Sequence, residues 1–157
     1  MKNPMKWLSL LVCIAAGIII PFATTYADEV YLSYGRIHRY DDGENSYTWQ
    51  ISYLKGLSEN FAWSFSWLNE GHLPNHHRDG PATQFWVRKN ILNRRLSLSM
   101  GAGPYLGFDT DTETSVGDNY ENSHHLGGLL SFTSTWYTDS RWLFQARLDN
   151  VWMAGDF

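Results

Sequence analysis

Residues 69–80 read NEGHLPNHHRDG. Three imidazoles (His72, His76 and His77), two carboxylates (Glu70 and Asp79) and one guanidinium (Arg78) crowd into this short stretch. A general base needs an imidazole oriented by a carboxylate, and His77 with Asp79 or Glu70 meets that need. A base of this kind needs a nucleophile to activate, and the nearest candidate is Ser123 in the run Asn122-Ser123-His124-His125. On this reading His77, Asp79 and Ser123 are the catalytic candidates. Glu70, His72, His76, Arg78, His124 and His125 line the binding surface around them. Two other readings stay open. Three histidines and a carboxylate would satisfy a metal ion. The spacing H-x-x-x-H-H matches no established metal motif, however, and Pro74 disfavours a helix through His72 and His76. No metal and no cofactor are assigned. In the third reading the segment is a polar loop whose Arg78 and Asp79 form the turn into the next element, Asp-Gly being common turn chemistry.

The elements around this stretch are legible from alternation. Phe61, Trp63, Phe65 and Trp67 alternate with Ala62, Ser64 and Ser66. Successive side chains of a strand point to opposite sides, so the segment has one apolar face and one small polar face. The pattern returns over 47–53, 96–106 and 142–148. Segments 30–37, 81–89 and 126–137 fit less cleanly, because Trp86 and Leu129 fall on the polar side. Seven strands are predicted. Connections at 57–60, 90–95 and 138–141 are short, and those at 38–46, 70–80 and 108–125 are long. Two smaller motifs have simple explanations. Asp109-Thr110-Asp111-Thr112-Glu113 lacks the glycine and distal glutamate of a calcium loop and reads as a solvated loop. Gly101 and Gly103 lie within a strand, where glycine makes space beside the backbone. Arg147, Asp149, Arg88 and Gln84 all fall on polar faces and are expected to form an interior network, since buried charges must be paired.

The first 27 residues have the layout of a secretory signal peptide. Lys2 and Lys6 precede an apolar run, and the small residues Thr25 and Ala27 close it. Cys13, the only cysteine of the chain, lies in this segment, and Val12 before it argues against lipidation. An exported domain over 28–157 would then hold no disulfide. Its ten basic and sixteen acidic side chains give a net charge of −6, which argues against nucleic acid as a partner.

Alternation of this kind suits a soluble sandwich or an inverted, membrane-embedded barrel. The polar faces are rich in Ser, Gly and Thr and poor in Lys and Glu, which suits a narrow interior filled by side chains. Tyr47, Trp67, Tyr105, Trp136, Tyr137, Trp142 and Trp152 cluster near strand ends, as in interfacial aromatic girdles. The connections alternate short and long, as periplasmic turns and external loops do. In these features the chain resembles the small eight-stranded outer-membrane barrels of Gram-negative bacteria. That class includes OmpA-like domains and the lipid A palmitoyltransferases and deacylases. The deacylases' His-x-Ser-Asn stretch does not occur here. The resemblance implies an all-β, antiparallel, up-and-down transmembrane barrel in the outer membrane. Seven strands of an even-numbered barrel lead one to expect an eighth. The implied partner is outer-membrane lipid, with lipid A the nearest candidate. The expected role is structural or ligand-binding, carried by the external loops. The alternative is a lipid A-modifying acyl hydrolase or acyltransferase with a His/Asp site at the external rim.

Overall fold

The alternating segments become seven antiparallel strands. They are β1 (Asp28–His38), β2 (Asn45–Gly56), β3 (Phe61–Leu73), β4 (His76–Ile91), β5 (Leu96–Thr112), β6 (Tyr120–Tyr137) and β7 (Leu143–Met153). The computed structural model describes residues 28–39, 43–73, 76–112 and 120–154, and the segment expected to be a signal peptide lies outside them. Each strand pairs with the next in the chain, giving one up-and-down sheet in the order β1-β2-β3-β4-β5-β6-β7. We call the end with the β2–β3, β4–β5 and β6–β7 turns the lower end, and the opposite end the upper.

The sheet is strongly curled. Tyr137 on β6 hydrogen-bonds Glu29 on β1 at 3.1 Å. Five strand spacings separate β6 from β1, about 24 Å if the sheet were flat, so only curling brings them together. Arg88 on β4 approaches the same carboxylate at 3.8 Å. Arg147 on β7 reaches Gln84 on β4 at 3.0 Å.

The concave face is packed in layers. At the lower end Glu29 gathers Tyr31, Tyr137 and Arg88. Above it, Trp86 donates its indole N–H to Ser64 Oγ at 2.8 Å, and Gln84 donates to Ser131 Oγ at 2.9 Å. A cavity of about 20 Å³ remains between these layers, bounded by Ser64, Trp86, Arg88, Thr133 and Arg147, which is room for about one water. Higher still, Leu68, Ala82, Tyr105 and Leu129 form an apolar layer with Val151 and Met153 against it. The two apolar residues that broke the alternation, Trp86 and Leu129, are therefore interior fillers, 2% and 0% exposed. Arg147, Asp149 and Gln84 are joined in the interior as expected, whereas Arg88 pairs with Glu29 in the layer below.

Three expectations need correction. Residues 70–80 and 108–125 are not long loops: the β3–β4 and β5–β6 ladders continue through most of both stretches. Backbone pairing does not need apolar side chains, so the ladder outlasts the apolar band. The β3–β4 register shifts between Asn69 and His72, where Gly71 takes φ 78°. A Cβ on Gly71 would lie 2.1 Å from the Tyr47 carbonyl oxygen, so glycine is needed at this bulge. Second, Tyr105 and Tyr137 do not belong to an aromatic girdle, because both point into the concave interior. Third, Asp109 is buried within β5 rather than solvated in a loop.

Gly101 stands directly opposite Trp86, and a Cβ there would meet the indole ring at 2.4–2.6 Å. Gly101→Val should destabilise the protein by about 1–3 kcal/mol, the usual range for overpacking. Because the clash is with one ring, the Gly101→Val/Trp86→Ala double variant should lose less than the sum of the two singles. Denaturant unfolding of the four proteins checks this, and additive losses would place the strain elsewhere.

Candidate functional site

The pleat divides the predicted site residues between two faces. On the convex side His72 and His77 are directly paired across β3 and β4, with ring centroids 4.3 Å apart. Tyr47 extends the stack, its ring 6.2 Å from His72 and its hydroxyl 3.0 Å from His72 Nδ1. His77 Nδ1 donates to the Gly71 carbonyl oxygen at 2.9 Å. Asp79 lies on the other side of that ring, with Oδ2 3.7 Å from Nε2. The Gly71 carbonyl therefore orients His77, and the bulge that frees this carbonyl is what positions the ring. His124 packs edge-on against Phe108 at 5.2 Å, and Phe108 in turn packs on Trp67 at 6.0 Å. The backbone of His76 pairs with Asp111, and its side chain lies outside the described set.

The concave side holds the other candidates. Arg78 donates from Nε and Nη2 to Asp109 Oδ2, at 3.1 and 2.9 Å. Its Nη1 lies 3.6 Å from Glu70 Oε2. Both carboxylates are buried, Asp109 at 3% and Glu70 at 8% side-chain exposure. His125 Nε2 lies 3.9 Å from Asp109 Oδ2 and 2.8 Å from Ser123 Oγ. The glycine opposite His125 makes room for this cluster: a Cβ on Gly107 would meet Arg78 Cδ at 3.1 Å and Met153 Cε at 2.5 Å.

The proposed pairing of His77 with Ser123 is not assembled. His77 is opposite Thr110 on β5, and Thr110 is opposite Asn122 on β6. Ser123, next along β6, points to the other face of the sheet. The imidazole that meets Ser123 is His125. Arg78 is likewise no turn residue: it lies within β4 and binds two buried carboxylates. Among the described residues, no three His, Cys, Asp or Glu side chains converge to hold a metal ion. Asp109 is the residue that sequence reasoning missed. Extending the 96–106 alternation by two more steps places it on the same face as Ser97 and Tyr105.

No family model, curated protein or solved structure matches this chain. The site is therefore read from its own geometry. It offers two chemical surfaces: an imidazole–phenol ledge outside, and an ion cluster with a hydroxyl–imidazole contact inside.

Arg78 bridges the two buried carboxylates Glu70 and Asp109. Removing one partner of a buried ion pair typically costs about 3–5 kcal/mol, because an uncompensated charge is left behind. Arg78→Ala should fall in that range by denaturant unfolding. Removing the charges as well, in Arg78→Met/Glu70→Gln/Asp109→Asn, should recover most of the loss. A loss below about 0.5 kcal/mol in Arg78→Ala would mean that water already screens the cluster.

Proposed function

We propose that this chain is an integral outer-membrane barrel protein whose role is structural or ligand-binding, exerted through its upper rim. The observation that carries the reading is the inverted distribution of polarity. On the convex face Leu32, Phe65, Phe85, Met100, Phe132 and Leu148 keep 47–81% of their surface exposed. On the concave face Gln50, Ser64, Ser66, Gln84, Ser131 and Thr135 are at most 2% exposed. A continuous apolar outer band around a polar core is costly in water and favourable in lipid. Lipid is thus the first partner, and lipid A is the outer-leaflet molecule nearest to the rim.

The edges point the same way. β1 and β7 run in the same direction, so closing the sheet with antiparallel pairs takes a strand running the other way between them. Lipid does not tolerate open strand edges. The strand directions and the curl are thus those of a sheet that closes as an antiparallel barrel through a descending partner at its β1 and β7 edges. The convex residues on these edges, Leu32 and Leu148, are among the most exposed large hydrophobic side chains of the described residues. A barrel of about eight strands leaves an interior that side chains fill, and this interior is filled.

Three results are expected. The folded protein should fractionate with outer membranes and show heat-modifiable gel mobility; recovery as a soluble protein would refute the reading. Planar-bilayer recordings should show no stable conductance of porin size. A charge on the convex face at mid-height, Met100→Arg, should cost about 2–4 kcal/mol in folding into lipid vesicles, the range for arginine at the bilayer midplane. An unchanged folding energy for that variant would argue that the face does not meet lipid.

A further inference from the structure

Ser123 and His125 lie two residues apart on β6, so the pleat brings both side chains to the concave face. Ser123 Oγ is 2.8 Å from His125 Nε2. The strand register sets Ser123 directly opposite Asp109, whose Oδ2 is 3.9 Å from the same nitrogen. A serine hydroxyl on an imidazole nitrogen is the nucleophile–base contact that acyl transfer uses; the carboxylate here lies beside that same nitrogen rather than the opposite one. We propose that Ser123, His125 and Asp109 form an ester-hydrolysing site at the upper rim, taking carboxylic esters of membrane amphiphiles. The substrate class rests on the membrane reading above.

Two further observations support it. The first is rigidity. Asp109 is gripped by two nitrogens of Arg78, and Arg78 is steadied by Glu70, so the carboxylate is held by a supporting shell of its own. The second is depth. Phe108 and His124 are the chain neighbours of Asp109 and Ser123; they sit on the convex side in contact with each other, and Phe108 packs on Trp67. Tryptophans such as Trp67 lie at headgroup level in membrane proteins. The hydroxyl–imidazole pair is thus one residue step from the height at which the ester linkages of an amphiphile lie.

The chemistry closes without a metal or cofactor. Ser123 Oγ attacks the ester carbonyl carbon while its proton passes to His125 Nε2. The tetrahedral intermediate collapses and the bond to the alcohol oxygen breaks. The proton on Nε2 goes to the departing alcohol, leaving an acyl ester on Ser123. Water then attacks that ester, gives a proton to Nε2, and the returning proton restores the serine hydroxyl as the carboxylic acid leaves. Asp109 does not grip the opposite ring nitrogen. It faces Nε2 itself and acts as a positioning residue, by its charge on the transient imidazolium.

The test uses the full chain, purified and folded in detergent micelles, with folding read by heat-modifiable mobility. Its substrates are short- and long-chain p-nitrophenyl esters, and a fluorophosphonate probe reports the nucleophile. Turnover favouring the long chain is expected, with the probe mapped to Ser123 by mass spectrometry. Ser123→Ala should abolish both signals, and His125→Gln should lower both by at least ~100-fold, as loss of a general base does. Asp109→Asn should shift the acid limb of the pH–rate profile to lower pH; a slower rate with an unmoved profile would make Asp109 structural only. A heat-shifted wild type with neither turnover nor labelling overturns the hydrolase while leaving the membrane reading intact. Full-speed labelling of His125→Gln overturns the assignment of the base. A soluble wild type that cleaves only the short ester discards the amphiphile and the membrane reading together, and keeps the Ser–His pair.

Discussion

Arg147 reaches from β7 to the opposite wall and ties four groups together. Its Nη2 donates to Gln84 Oε1 and to Ser131 Oγ, both at 3.0 Å. Its Nε donates to Asp149 at 2.8 Å, and its guanidinium carbon lies 5.3 Å from the centre of the Trp86 ring. A charge buried in a sheet's concave face is tolerable only when its donors are met. Those partners lie on β4, β6 and β7, so the sheet must bend until they converge. The curl of the molecule follows from satisfying this one side chain, with Glu29 and its partners repeating the constraint at the lower end.

The layer of Leu68, Ala82, Tyr105 and Leu129 then acquires a second meaning. It separates the Arg147 network from the Arg78 cluster above it. The lower network pairs Arg147 with Asp149 and completes the packing with the Gln84 amide and the Ser131 hydroxyl. The upper cluster differs by an imidazole held against a hydroxyl, beside two acids and a guanidinium. That difference makes the upper end the place where chemistry is expected.

The division of the histidines between faces follows from the same geometry. His124 and His125 are adjacent in the chain, yet one packs on Phe108 outside and the other meets Ser123 inside. His72 and His77 are five residues apart, yet the β3–β4 ladder stacks their rings, because the shift at Gly71 brings them opposite each other. Nearness in sequence is a poor guide within a hairpin. Parity and register decide which side chains can act together.

The sequence by itself determined the architecture. All seven strands, their order and the identity of the polar face were readable, because a period of two is a local property of the chain. Local pattern also marked Gln84, Arg88, Arg147 and Asp149 as interior and Gly101 as a space-maker. Tertiary structure decided the site. Nothing in the run NEGHLPNHHRDG reveals that its ladder continues through a bulge, because the shift depends on how Gly71 fits against Tyr47 of the neighbouring strand. Asp109 looked like loop chemistry until its pairing with Arg78 was visible across β4 and β5. Ser123 chose His125 over His77 because two side chains on one strand, two residues apart, share a face, while β5 and the sheet itself stand between Ser123 and His77.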